Sequence, residues 1–160
     1  MTSFFDKYNP SIIAIPAYFL LSLLPHSYAL SVATQGKPTK WDNRNPRSSD
    51  LKVKLKERLS ADAFAQYERA EACHANGMEN LPLFSTAVIL GNMAGLRKEG
   101  LGGMTEFAAT FLAVRVAYTA VYLTNKTQGP TLLRTGLWAL GTGLCFRIIL
   151  KAAKALGASR

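Results

Sequence analysis

Cysteine is scarce in this sequence. Only Cys73 and Cys145 occur, each in apolar surroundings, without metal-ligand spacing or further cysteines to build a disulfide framework. A structural metal site and a disulfide scaffold are therefore excluded, and two reduced, buried thiols are expected. Acidic side chains are also few, ten against nineteen Lys and Arg, for a formal net charge of +9. The excess is concentrated: eight Lys or Arg between Gly36 and Arg58 meet only Asp42, Asp50 and Glu57. A basic segment between apolar runs suits an anionic membrane surface, and no nucleic-acid-binding motif accompanies it, so nucleic acid is not an expected partner. Internal repeats and low-complexity tracts are missing as well. One domain over residues 1–160 is the expectation.

Charge itself is absent from Pro10 to Ala33, a run long enough to cross a hydrocarbon layer of about 30 Å at about 1.5 Å per residue. A cleaved signal peptide fits poorly, because the preceding stretch has only Lys7, offset by Asp6, and the apolar run is too long. What is present, then, is hydrophobic sequence, 49% of all residues. It divides into four segments, with spans expected at 10–33, 72–96, 104–124 and 131–156 and a basic loop at 36–58. The second segment exceeds what a membrane needs. Its helix-favouring sequence starts after Ser60, a good N-cap, so its first half should protrude into the headgroup zone. The fold class is all-α, a transmembrane four-helix bundle, and the excess of Lys and Arg puts the basic loop on the cytoplasmic side.

Ionisable groups at membrane depth survive only when paired or when lining a wet cavity. Glu79 and Arg115 are such groups. On the second segment Arg69, Cys73, Asn76 and Asn80 recur at helical spacing with Glu79 one turn above Asn76, and on the third Arg115, Tyr118 and Tyr122 do the same. Two facing polar stripes suit a ligand with amine, carboxylate and peptide groups. A structural pair between Glu79 and Arg115 accounts for the same residues. His74 lies on another side of the helix, three residues from Glu71, where packing or capping is the commoner role of a lone histidine.

Three stretches together carry a resemblance: RAEACHANGMENLPLF from Arg69 to Phe84, RVAYTAVYLT from Arg115 to Thr124, and RTGLWALG from Arg134 to Gly141. With these, the sequence resembles the membrane-associated proteins in eicosanoid and glutathione metabolism, the family of the microsomal glutathione transferases. The resemblance implies a homotrimer of four-helix bundles in the endoplasmic reticulum or another intracellular membrane, with glutathione bound as co-substrate between subunits and no metal. His74, Asn76 and Glu79 match the family's glutathione wall, Arg115 and Tyr122 complete it, and Lys37 is a weaker match to a basic residue that reaches the peptide. Arg69, Asn80 and Tyr118 join them as candidate binding residues on the same two stripes.

Arg134 aligns with the arginine that lies by the glutathione sulfur. A thiol with an ordinary pKa near 8.5 is mostly protonated at neutral pH, and a guanidinium beside it favours the reactive anion. The implied activity is transfer to lipophilic electrophiles, or reduction of lipid hydroperoxides. Two positions depart from the pattern: Glu71 and Ala72 stand where family transferases often carry arginines that hold glutathione. The family also contains members without catalysis, so a lipid-binding or scaffold protein is the alternative.

Overall fold

The computed structural model describes residues 7–46, 48–125, 127 and 129–158. Among them the secondary structure is entirely helical. Helix α1 (Pro10–Thr34) starts at Asn9, whose side-chain oxygen accepts from the Ser11 N–H, with Pro10 in the first turn, where its missing donor does no harm. It stops at Gln35 and Gly36, both in the left-handed region, with the Gly36 N–H donating to the Ser31 carbonyl at 3.0 Å.

The segment expected to be a loop, 36–58, carries structure of its own. After a 3₁₀ turn at Pro38–Lys40 comes helix α2 (Ser49–Arg58), capped by the Ser48 hydroxyl. The reason is apolar anchoring. Leu55 and Leu59 bury against Ala29 and Ala33 of α1 and against Tyr67 and Ala70, while Arg58 donates to the Ala33 carbonyl at 2.6 Å.

Helix α3 (Ala61–Met93) begins where expected, with the Ser60 hydroxyl accepting from the Ala63 N–H at 3.2 Å. A link with Gly95, Gly100 and Gly102 at positive φ leads to α4 (Met104–Thr124), and α5 (Pro130–Ala158) completes the bundle. Neighbours in the chain run antiparallel. Phe107 of α4 meets Phe84 of α3, while Arg115 meets Asn76 further back along α3. One end of the bundle therefore gathers the C-termini of α1 and α4, the N-termini of α3 and α5, and the basic segment.

Among the described residues, three helices are long and apolar enough to cross a membrane: Pro10–Thr34, Met104–Thr124 and Thr131–Ala158. Helix α3, at 33 residues, is long enough, but Asn76, Glu79, Asn80 and Asn92 dilute its apolar half. It packs against α1, α4 and α5. Large apolar side chains face outward along α1 (Ile12, Leu20, Leu24) and α5 (Leu132, Leu140, Leu150), as lipid-facing helices require. Inside, Phe84 stacks on Phe111 at 4.1 Å, and Tyr18 meets both rings edge-on. Gly77 allows α1 and α3 to approach closely, since a Cβ there would sit 2.7 Å from the Ser22 hydroxyl.

Candidate functional site

The Ser60 cap sets the phase of α3, and its middle turns form one wall of an open groove of about 890 Å³ at the basic end. Arg69, His74 and Glu79 of α3 line it together with Tyr122 of α4, Arg134 of α5 and Lys52 of α2. A smaller cavity of about 320 Å³ adjoins it, sharing Tyr122 and Arg134 and adding Asn76, Tyr118 and Trp138.

From the core to this groove runs a ladder of cations and aromatic rings. Arg115, only 3% exposed, donates from Nη2 to the Asn76 side-chain oxygen at 2.9 Å and lies over the Tyr118 ring at 4.2 Å and the Tyr18 ring at 5.5 Å. An interior guanidinium is tolerable when an amide and two ring faces replace its water. Tyr118 meets Tyr122 edge-on at 5.5 Å, and Arg134 lies over Tyr122 at 4.4 Å. Packing thus places the Arg134 guanidinium at the groove.

Two of the three acids on the α3 wall have partners. His26 of α1 sits 2.7 Å from the Glu71 carboxylate, and Lys52 pairs with Glu68 at 2.8 Å. The His26 ring lies 5.0 Å from that of His74, whose Nδ1–H donates to the Ser22 carbonyl at 2.8 Å. That bond fixes the His74 ring against α1 while its edge faces the groove. Glu79 is exposed and, among the described residues, forms no ion pair; the Nε of Arg69 is buried without a hydrogen-bond partner. Burial, with Glu71 and Glu68 nearby, pushes the Tyr67 hydroxyl above its ordinary 10.0, so Tyr67 meets the groove as a neutral donor.

Of the residues expected from sequence, Arg69, His74, Glu79, Tyr122 and Arg134 share the groove, and Asn76 and Tyr118 share the adjoining cavity. Arg115 stands behind them, paired with Asn76 rather than with Glu79. Asn80 turns back on its own helix, donating to the Asn76 carbonyl at 2.9 Å. Lys37 is exposed at the start of the 3₁₀ turn, outside the lining of both cavities. Cys73 and Cys145 are buried free thiols. Sequence reasoning missed His26 and Lys52. The one signal for His26 was an ionisable ring in a span otherwise free of charge.

Nothing among curated proteins or solved structures matches the chain significantly. A family model described as the MAPEG family matches residues 13–154, which include every residue of the groove and the ladder. With that match over nearly the whole length, and with apolar helices that can cross a bilayer, the chain belongs to the MAPEG family and is an integral membrane protein.

Proposed function

We propose that this protein is a membrane-bound, glutathione-dependent transferase or peroxidase acting on lipophilic electrophiles or lipid hydroperoxides. The observation that carries this reading is the convergence of Arg69, His74, Glu79, Tyr122 and Arg134, from three helices, on one open groove. The donor set fits the tripeptide. Arg69, with its unpartnered Nε, suits a carboxylate, exposed Glu79 suits the amine, and Tyr122 and His74 offer ring and hydrogen-bonding edges to the peptide units. Asn76 and Tyr118 extend the site into the adjoining cavity, Asn80 and Arg115 act from behind by holding the shape, and Lys37 stands outside the wall. Helix α3 is the fourth span, and a neighbouring subunit of a homotrimer closes the open side.

Arg134 stabilises the thiolate of bound glutathione. The nucleophile belongs to the substrate, so neither buried cysteine is needed. In conjugation an S–C bond forms as the electrophile's leaving group departs with its electron pair. With a hydroperoxide the sulfur takes the terminal oxygen, the O–O bond breaks and the alcohol leaves; a second glutathione then releases water and the disulfide. Apolar outer faces on α1 and α5 let such substrates arrive through the lipid.

Arg134→Ala should lower glutathione-dependent turnover by about 10²-fold, the usual effect of removing one group that stabilises a reacting anion. Equal rates in both proteins would remove Arg134 from this role. The second reading, a non-catalytic lipid-binding or scaffold member, draws on Glu71, a carboxylate on the wall where family transferases often have an arginine. Glutathione titration of the detergent-solubilised protein separates the two: millimolar or weaker binding favours the scaffold.

A further inference from the structure

The opposite end of the bundle holds a second cationic site that the groove chemistry does not use. A cavity of about 510 Å³ lies there between the α3–α4 link and the last turns of α5, and its charged lining consists of Arg97, Arg147 and Lys151 with no acid. Two apolar side chains, Leu96 and Leu101, complete its rim, and Leu101 is 88% exposed. Arg97 is held in place by donating to the Leu101 carbonyl at 2.6 Å. Glu106, at the start of α4, accepts from the Gly102 N–H across the link, and Glu99, in the link itself, is outside the lining of the cup.

The cup continues into a crevice between α4 and α5. This narrower cavity, about 100 Å³, shares Gly102 and Arg147 with the cup and is lined by Glu106 and Thr110 as well as by Phe107, Leu144 and Ile148. A Cβ on Gly102 would lie 3.3 Å from the Arg147 guanidinium, so the glycine lets that side chain lie close against the link. Depth agrees with placement at a headgroup layer. Counting from Pro130, a helix has risen about 26 Å at Arg147 and about 32 Å at Lys151, close to the far face of a hydrocarbon layer of about 30 Å.

We propose that this cup binds an anionic phospholipid, its headgroup phosphate against Arg97, Arg147 and Lys151 and its acyl chains along the exposed apolar side chains Leu101 and Leu150. Charge complementarity selects the phosphate, and the exposed apolar side chains beside the cup, at the depth of a headgroup layer, select a lipid over a free anion. The site is distant from Arg134, and it stands whether or not the groove takes glutathione.

Native mass spectrometry of the detergent-solubilised protein, with phosphatidylglycerol and phosphatidylcholine offered together, tests it. Retention of phosphatidylglycerol at least about tenfold above phosphatidylcholine is expected. The exposed pair R147Q and K151Q, made together, should abolish that preference, and Arg97→Gln alone should weaken it. Lys54→Gln with Lys56→Gln, which removes the same charge from the basic end, should leave it intact. Equal retention of the two lipids, an unchanged preference in the R147Q and K151Q protein, or full competition by millimolar inorganic phosphate would each overturn the proposal.

Discussion

The two halves of α3 live in different environments. From Phe84 to Gly91 one face of the helix is packed on aromatic and aliphatic neighbours, with Phe84, Ala87 and Val88 at 0% exposure. From Arg69 to Asn80 it borders cavities, and the Nε of Arg69 finds no partner within the chain. The first half is complete by itself and holds the bundle together. In the second, packing stops short and leaves donors and acceptors for something else to satisfy, which is what distinguishes a site from a core.

The sharpest way to break this contrast is Phe84→Ala. It removes the ring that stacks on Phe111 and touches Tyr18 and Phe107, and it should destabilise the protein by about 3–5 kcal/mol in a detergent unfolding titration. A loss below about 1 kcal/mol would mean that the aromatic half is not the stabilising core. In the polar half, Asn76→Ala strips Arg115 of its hydrogen-bond acceptor and should cost about 1–3 kcal/mol in the same titration. It should also weaken glutathione-dependent activity, since Asn76 lines the cavity beside Arg134. Unchanged stability with lost activity would make Asn76 a binding residue only.

The smallest effect belongs to the edge of the polar half. Arg44 donates to Asp42 from its side chain and its backbone and holds that carboxyl at about 2, below the ordinary 3.8. A folded-state value below the unfolded one contributes stability that is present above the ordinary value and lost as pH falls from 3.8 towards 2. The pair is fully exposed, so Asp42→Asn should shift the melting temperature at neutral pH by less than about one degree. A larger shift would show that surface charge in the basic segment carries stability usually reserved for the core.

Much of the fold was legible in the chain. The cap at Ser60, the apolar runs and the Gly-rich link are local signals, and each acts where it stands. Helix α2 was not legible, because its sequence is mostly charged and the docking of Leu51, Leu55 and Leu59 under α1 gives it a place. The site showed the same division. Helical spacing placed Arg69 and Glu79 on a polar wall, yet spacing alone left open whether Glu79 or Asn76 would meet Arg115. His26 was invisible as the partner of Glu71, since 45 residues separate them and only the antiparallel packing of α1 on α3 brings them together.

By itself, then, the sequence determined the helices and the membrane environment, because hydrophobic length, caps and turn residues act within a few residues of one another. Only the tertiary structure decided which partners the charges meet: Arg115 meets Asn76 and two tyrosine rings, Glu71 meets His26, and Arg134 is held at the groove by Tyr122. Such pairings depend on distances between side chains from different helices, and distance is a property that only packing supplies.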